Sequence, residues 1–547
     1  MSRQPKPDPG PTEILVAALA GILFTTVWAI LIGKDVGWDQ KNYHYYGVYA
    51  WLHDRVAYHI QPAGQQTWLN PLVYLPHYWL INHAPPVVAG GIFGSWVGLN
   101  FALVYLLSRM VLPADGGRWR QPLAALCGAV GCSDPFFLQF IGSTDVDNLL
   151  SVPVLGSLCL LCWACSSRRT ETVRDRAYAV AGLLLGAASG LKWVFFVYSA
   201  GMGMTLLALW RLLAMSGRRF LYFTLGGVGG FLLTGGFWSW SLWTAYGNPF
   251  FPYWNRYFRS PWAEPNNFRD MRFPPQSAAE AIQFPFRWFA GLAPSSEDPF
   301  RDARYAVLCV LLAVVAAALL GQWVVGRWQR GESGHAKFPA PASHWWLLLT
   351  FSLFSYLLWI KLFAIQRYLV PVGLLAGLLL WLLLDWLLAS RAAKVAAFVF
   401  LAGFCILWTR IDVAGWRLEY GADWYGVELA PEMRAPETLF LLVGNEPMAY
   451  LVPFLPESAR AVRLSGMMPE TETELVRQAR VILSQHRGPV RSLAAAPLAD
   501  DVYAPLARFG LLVDRQACVQ FRSAADQFTS CPVVPAAASA KLPSRPE

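Results

Sequence analysis

The feature that most limits how this chain can fold is its series of apolar stretches, each roughly 20 residues long, the length that crosses a lipid hydrocarbon core. Backbone amides inside lipid must be hydrogen-bonded within the protein, so each stretch is predicted to be a helix. The strands of a membrane barrel alternate apolar and polar residues, and these stretches do not. Eleven spans are predicted, at residues 14–32, 88–111, 123–141, 149–165, 178–190, 194–213, 221–246, 305–325, 345–362, 368–388 and 395–408.

The composition agrees with a membrane location. The chain is 55% hydrophobic and 14% charged, whereas soluble domains carry about 25% charged residues. Its 26 tryptophans suit the many helix ends at membrane–water interfaces, where amphipathic rings are favoured. The predicted fold class is therefore an all-α polytopic membrane protein with a small C-terminal α/β domain, and a purely soluble protein is excluded.

Lysine and arginine in the short loops predict the orientation, because cytoplasmic loops carry an excess of both. With the N-terminus inside, the cytoplasmic loops hold Arg109, Arg118, Arg120, Arg168, Arg169, Arg174, Arg176, Arg211, Arg218, Arg219, Arg327, Arg330, Lys337, Arg391 and Lys394. The outer turn at 143–147 holds no cation. We expect a multi-pass protein of the bacterial inner membrane. Its net charge of +9 then reflects topology and gives no argument for binding nucleic acid.

The spans divide the chain into regions. These are a cytoplasmic N-terminus at 1–13, a transmembrane domain at 14–410 with outer loops at 33–87 and 247–304, a soluble periplasmic domain at 411–533 and a disordered end at 534–547. In the soluble domain, TLFLLVG at 438–444 and FGLLV at 509–513 are typical of buried strands, and the sequence at 469–483 between them is typical of a helix. Cys518 and Cys531 can form a disulfide there if the compartment is oxidising, and otherwise remain free thiols.

Three carboxylates lie just outside predicted spans, where a charge is either solvated at the membrane boundary or functional. Asp39 follows the first span and precedes an aromatic-rich segment that contains His44 and Tyr45. Asp145 and Asp147 lie in the short turn STDVDN between the third and fourth spans. The structural alternatives are an exposed loop acid for Asp39 and a helix N-cap for Asp147.

Three cations lie at the same predicted face of the membrane. Arg367 begins the tenth span, Lys361 precedes it closely, and Lys192 is isolated between the fifth and sixth spans. One interpretation is that these side chains reach out to lipid headgroups. The other is recognition of a phosphate on a lipid carrier, for which a planar guanidinium is well suited.

Taken together, these features resemble the GT-C superfamily of integral membrane glycosyltransferases. The resemblance rests on an acid after the first span, an acidic turn between the third and fourth spans, and RYLVP at 367–371, which is similar to the RY-x-x-P motif of protein O-mannosyltransferases and aminoarabinose transferases. GLKWVF at 190–195 resembles a lysine-bearing segment of the same enzymes, and GNPFFPYWNRYF at 247–258 looks like an uncharacterised bacterial branch. One departure is Gln40, which follows Asp39 where some relatives have a second acid.

The resemblance implies an inverting enzyme that moves a sugar from a polyprenyl-phosphate donor to a lipid or glycan acceptor on the periplasmic face. Asp39 would be the general base. No cofactor is expected, and a role for a divalent metal is left open. The implied binding roles are Arg367, Lys192 and Lys361 for the donor phosphate, Asp145, Asp147 and His44 for the acceptor, and Trp38, Tyr45 and Trp254 for stacking on sugars.

Two other functions fit a membrane protein of this kind. A transporter or flippase for a lipid-linked saccharide would typically show duplicated halves and broken helices at the bilayer midplane. The sequence shows no obvious repeat, and its charges lie at helix ends. An O-antigen polymerase or ligase matches the topology but usually relies on arginines in a late outer loop and lacks the acid after the first span.

The orientation can be tested with reporter fusions. Fusions after Lys394 and within 333–342 should report the cytoplasm, and fusions in the C-terminal domain should report the periplasm, because the cations of the short loops stay inside. The measurement is the ratio of alkaline phosphatase to fluorescent-protein signal for each fusion. A cytoplasmic C-terminal domain would remove the basis for every role assigned above.

Overall fold

The computed structural model describes residues 9–113, 119–165, 170–328, 343–411, 416–466, 468–499 and 501–536. Its contacts divide the chain into two compact units. We call them the helical unit (Met1–Leu31, Gly91–Gly235 and Arg269–Gly415) and the mixed unit (Ile32–Gly90, Gly236–Phe268 and Trp416–Glu547). The chain passes between the units several times, so neither is a single continuous stretch of sequence.

The helical unit is built from helices, of which several are long and apolar. Their bounds are Pro11–Ile32, Pro86–Val97, Leu99–Val111, Arg120–Cys132, Pro135–Gln139, Asp147–Ala164, Glu171–Leu191, Phe196–Ala208, Gly217–Phe231, Ala278–Ala290, Arg304–Trp328, Ser343–Leu362, Val370–Leu374, Ala376–Leu387 and Arg391–Trp408. Within the described residues, seven helical segments are long and apolar enough to cross a membrane, or eight if Gln366–Leu374 and Ala376–Leu387, bent by 49°, count as one span. The prediction of a polytopic helical membrane protein is confirmed, and the count of eleven spans stays a prediction.

Two predicted spans are interrupted, and the first interruption has an identifiable cause. The span expected at 123–141 breaks at Asp134, whose carboxylate accepts hydrogen bonds from the backbone N–H groups of Phe136 and Phe137 at 2.9 and 3.0 Å. This capping starts a new short helix at Pro135, a residue suited to a first helical turn. The span expected at 368–388 divides into two helices after Leu374.

Helices Glu171–Leu191 and Gly217–Phe231 pack unusually close through glycine. A Cβ added at Gly186 would lie 1.9 Å from the carbonyl oxygen of Gly227, and one added at Gly182 would lie 2.0 Å from that of Phe223. Small residues four apart allow such close approach between membrane helices. The contact positions helix Glu171–Leu191, whose C-cap residue is Lys192.

A five-stranded sheet forms the centre of the mixed unit. Its strand order is Arg460–Arg463, Leu439–Leu442, Val490–Ala495, Gln527–Ser530 and Val519–Arg522. The first three strands are parallel and the last two are antiparallel to their neighbours. The helices of this unit are Tyr45–Leu52, Leu75–His83, Phe237–Tyr246, Asn255–Phe258, Glu474–Gln485 and Ala504–Ala507. Two further strand pairs are present, Lys34–Asp35 with Arg417–Leu418 and Leu511–Val513 with Val533–Pro535. The predicted C-terminal α/β architecture is confirmed.

The C-terminal sheet shares its core with the loops that precede it in the chain. Ile60 of the first loop pairs with Val462 in parallel, and the buried core joins Trp68 and Phe251 to the sheet residues Leu439 and Leu441. The boundaries of a separate domain at 411–533 therefore stay a prediction, because residues of the first loop complete its core.

The two ends of the chain are only partly described. Disorder was expected from residue 534, but Val534 and Pro535 pair with Leu512 and Leu511 in a short ladder. Residues 534 and 535 therefore belong to a strand instead of a disordered end. The remaining residues, 537–547, lie outside the described residues, as do residues 1–8 of the expected cytoplasmic N-terminus.

Candidate functional site

The acidic turn in the helical unit is buried. Asp145 retains 7% of its surface and Asp147 none. The backbone N–H of Asp145 donates to the Oγ atom of Ser143 at 3.0 Å, which shapes the turn before helix Asp147–Ala164. Neither acid matches the alternative of a solvated boundary residue, and the N-cap position of the helix is Val146, so Asp147 is its first helical residue instead of its N-cap.

Asp145 is paired with Arg367. Arg367 Nη1 donates to Asp145 Oδ1 at 2.9 Å, and the side chains are 22% and 6% exposed. Arg367 lies in a short 3-10 turn, Gln366–Leu369, directly before the bent pair of helices. The guanidinium is thus held at a helix end and keeps part of its surface accessible.

Asp147 is paired with Lys192, which sequence reasoning treated as an isolated cation. Lys192 Nζ donates to both carboxylate oxygens of Asp147, at 2.8 and 2.9 Å. Burial by itself lowers the pKa of the Lys192 ammonium, but Asp147, Tyr368 and Asp145 together outweigh that effect and the pKa lies above its usual value. Lys192 therefore remains charged, and its first partner is a carboxylate of the protein.

The two ion pairs are neighbours across the ring of Tyr368. Lys192 Nζ lies 4.9 Å from the ring centroid and Arg367 Cζ lies 5.3 Å from it, so both cations can interact with the π face. The Tyr198 hydroxyl donates to the backbone carbonyl of Tyr368. We refer to Asp145, Asp147, Lys192 and Arg367 as the charge cluster.

The backbone beside Arg367 is anchored by contacts that sequence reasoning missed. The backbone N–H of Gln366 donates to the Ser295 carbonyl at 2.8 Å, and Ser295 Oγ donates to Gln366 Oε1 at 3.2 Å. Trp288 Nε1 donates to Ser295 Oγ at 2.9 Å from helix Ala278–Ala290. No sequence signal connects Trp288 and Ser295 with Gln366, because more than 70 positions separate them from it.

A second buried ionic network supports the helix that follows Arg367. Arg304, fully buried, contacts Asp302 and Asp134 at 2.6 Å each. Its guanidinium also donates to the backbone carbonyls of Gly131 and Gly373 at 3.2 and 3.1 Å. One arginine thus links three helix ends. The sequence signal was present, because Asp134 precedes Pro135 as an N-cap does, but it did not indicate the partner.

Asp39 lies in the mixed unit, at the start of the helical turn Gln40–His44. It is partly buried, and one of its oxygens lies within 4.8 Å of a ring nitrogen of His44. This brings together a carboxylate and an imidazole, both of which can bind metals. Asp35, four residues earlier, is fully buried in a strand and its Oδ1 accepts from the backbone N–H of Gly37 at 2.7 Å, so its role is structural.

The residues that follow Asp39 are tied to the C-terminal tail within the mixed unit. Gln40 Nε2 donates to the hydroxyl of Tyr425 at 3.0 Å. Lys41 Nζ lies 2.9 Å from Asp526 Oδ1. These contacts determine the position of the turn that carries the candidate base.

The candidates for ring stacking differ in exposure. Tyr45 is 5% exposed, with ring centroids of Tyr78 and Tyr425 at 5.0 and 4.8 Å, so its surroundings favour a packing role instead of sugar stacking. Trp38 and Trp254 retain 42% and 39% of their surface. His44 is buried and stacks on Tyr74 at 4.0 Å.

Lys361 is placed differently from the other two predicted cations. It lies in the last turn of helix Ser343–Leu362, is exposed, and its backbone carbonyl accepts from the guanidinium of Arg269. Within the described ranges its ammonium forms no ion pair, whereas Lys192 and Arg367 both do. Lys361 is therefore not part of the charge cluster.

The long apolar helices define a polytopic membrane protein. Among solved structures, the chain is similar to ArnT, an aminoarabinose transferase from Cupriavidus metallidurans. Its apo crystal structure matches with a TM-score of 0.52 and 12% identity, over 97% of this chain and 99% of that chain. The crystal structure of ArnT bound to undecaprenyl phosphate matches with a TM-score of 0.49 and 12% identity, over 96% and 98%.

The likeness to the apo structure extends over nearly the full length of both chains, and the predicted resemblance is confirmed at the level of fold. No family model matches the sequence. No curated protein matches it either.

The Asp147–Lys192 pair can be tested through stability. Asp147→Asn leaves the Lys192 ammonium buried without its counter-charge, and breaking a buried pair in this way costs about 3–5 kcal/mol. We expect a loss of that size in the free energy of unfolding, measured by SDS titration of the purified protein in bicelles.

The control is the double variant Asp147→Leu/Lys192→Met, which removes both charges and should lose much less stability. Equal losses in the single and double variants would mean that the cavity volume matters and the charge pairing does not.

Proposed function

We propose that this protein is an inverting glycosyltransferase that transfers a sugar from a polyprenyl-phosphate donor to a lipid or glycan acceptor at the periplasmic face of the bacterial inner membrane. The observation that carries the proposal is the charge cluster, in which two carboxylates and two cations from three chain segments meet at helix ends. The fold, similar to ArnT over 97% of the chain, supports the same class of enzyme.

Arg367 is proposed to bind the donor phosphate. A polyprenyl chain lies among lipids and brings its phosphate to the level of helix ends, which is where Arg367 lies with 22% of its side chain exposed. A planar guanidinium can meet two phosphate oxygens at once. Lys192 is proposed to act through Asp147 and the shared Tyr368 ring, so its contribution is to hold the cluster in place.

Asp39 is proposed as the general base. The acceptor hydroxyl attacks the anomeric carbon as its proton passes to the Asp39 carboxylate, and the bond from that carbon to the donor phosphate oxygen breaks. The electron pair leaves with the phosphate, which needs no proton, and direct displacement inverts the anomeric centre. Arg367 would stabilise the charge that develops on the leaving phosphate.

Asp145 is proposed to orient Arg367, with which it is already paired, and the exposed rings of Trp38 and Trp254 are the candidates for contact with the sugar. An acceptor role for His44 and Asp147 has less support, because the first stacks on Tyr74 and the second is paired with Lys192.

The base assignment is tested by Asp39→Asn, which keeps the size of the side chain but cannot take a proton at neutral pH. General-base catalysis contributes about 10²–10⁴ in rate, so turnover should fall by that factor while expression and donor binding are retained. The assay is transfer of labelled sugar from polyprenyl phosphate by purified protein in nanodiscs.

The matched control is Asp54→Asn. Asp54 lies in the same loop, is exposed and has a φ of 54°, a left-handed conformation that Asn also accepts, so turnover should not change. Comparable turnover for Asp39→Asn and wild type would rule out the proposed mechanism.

The phosphate assignment is tested by Arg367→Lys and Arg367→Ala. Lysine retains the charge but loses the planar fork, and removing a charged hydrogen bond weakens binding by about tenfold to a hundredfold. We expect donor affinity to decrease in the order wild type, Arg367→Lys, Arg367→Ala, measured by titration of polyprenyl phosphate against protein in nanodiscs.

The control is Lys361→Ala, which removes the predicted cation that lies outside the charge cluster. This variant should bind the donor as wild type does. If Arg367→Ala has wild-type affinity, the arginine contacts lipid headgroups only. If Lys361→Ala has the larger effect, the phosphate lies elsewhere.

A further inference from the structure

Two arginines of the helical unit face each other across a short antiparallel ladder. Strand Phe300–Arg301 pairs with Arg410–Ile411, and Arg301 lies directly opposite Arg410. Directly opposed residues of an antiparallel pair project from the same face of the ladder. Beside them is a cavity of about 330 Å³, lined by Gly291, Pro299, Phe300, Arg301, Arg410 and Ile411.

Like charges directly opposite each other destabilise a strand pair. Within the part of the chain that the structure describes, neither Arg301 nor Arg410 forms an ion pair, and both are exposed. The three acids nearest to Arg301 in sequence are engaged elsewhere, Glu297 with Arg272 at 2.6 Å, Asp298 with Gln139 at 2.8 Å and Asp302 with Arg304 at 2.6 Å. Among the residues that the structure describes, these three carboxylates therefore give the arginine pair no counter-charge.

The side chain of Arg301 is exposed and lies beside an aromatic ring. Its Cζ lies 5.8 Å from the ring centroid of Trp408. Gly291, which has a φ of +83°, lies against the same side chain, since a Cβ added there would lie 2.9 Å from Arg301 Nε. The cavity is therefore bounded on this side by the arginine stem and by Trp408.

The cavity lies at the end of an apolar helix. Trp408 is the last residue of helix Arg391–Trp408, which is long and apolar enough to span a membrane. Its Nε1 donates to the Phe289 carbonyl at 2.9 Å, and the two rings stack at 4.8 Å. Tryptophan is enriched at membrane–water interfaces, and a tryptophan at this helix end favours a position for the arginine pair near the lipid headgroups.

We propose that Arg301 and Arg410 together bind a phosphate group at the membrane surface. Phosphate supplies the negative charge that relieves the repulsion across the ladder, and guanidinium groups match its oxygens in pairs. The phosphate belongs to an anionic phospholipid headgroup or to a soluble phosphate compound. Neither arginine belongs to the charge cluster, so the proposal is independent of the glycosyltransferase function.

The test is native mass spectrometry of the full-length protein in detergent, titrated with phosphatidylglycerol, phosphatidylcholine or inorganic phosphate. Wild type should bind phosphatidylglycerol, and Arg301→Gln/Arg410→Gln should bind it about tenfold to a hundredfold more weakly. Arg301→Lys/Arg410→Lys keeps both charges without the planar forks and should be intermediate. Both arginines are exposed, so these variants should fold.

The control variant Arg256→Gln/Arg259→Gln removes two exposed positive charges from the mixed unit and should bind phosphatidylglycerol as wild type does. Competition by inorganic phosphate supports the site and identifies a soluble source, and binding of phosphatidylglycerol without such competition supports it and identifies a lipid source. Equal affinities of wild type and the Arg301→Gln/Arg410→Gln variant for both phosphatidylglycerol and inorganic phosphate would overturn the proposal.

Discussion

The buried ion pair between Asp147 and Lys192 is the contact on which the arrangement of the charged helix ends depends. A carboxylate with no exposed surface is stable beside apolar helices only when a cation and hydrogen bonds compensate it. Lys192 is the C-cap of helix Glu171–Leu191, which packs closely through glycine against helix Gly217–Phe231. Close backbone packing in one part of the helical unit therefore allows a charge to be buried in another.

The position of Arg367 depends on a second set of contacts, all of which are polar. Ser295 and Trp288 hold the backbone at Gln366 on one side, and Arg304 binds the carbonyl of Gly373 on the other. Because Arg304 also contacts Asp134, the helix that follows Arg367 is connected to the helix end just before the acidic turn. The network around Arg304 thus helps to position both Asp145 and Arg367. Their ion pair is not the sole contact that holds the two side chains together.

The sequence predicts the helices well and their contacts poorly, for physical reasons. An apolar run of sufficient length has few alternatives in lipid, so the polytopic helical fold and the C-terminal α/β architecture are predicted correctly, while the count of eleven spans stays a prediction. The partner of Lys192 lies 45 positions away, and no local pattern encodes such a distance. Tyr45 was expected to contact sugar because aromatic residues near an acid suggest a binding face, but the tail residue Tyr425 packs against its ring. The hydrophobic periodicity of a sequence does not show which side chains a distant segment will bury.

The C-terminal tail bears on the candidate base through a short series of contacts inside the mixed unit. Asp526 lies in the hairpin between strands Val519–Arg522 and Gln527–Ser530, and a disulfide between Cys518 and Cys531 closes that hairpin. Asp526 pairs with Lys41 at 2.9 Å and accepts a hydrogen bond from the hydroxyl of Tyr450 at 3.1 Å. Lys41 is two residues from Asp39, in the same helical turn. The hairpin that the disulfide closes therefore holds Asp526 against Lys41, and so supports the helical turn that begins beside Asp39.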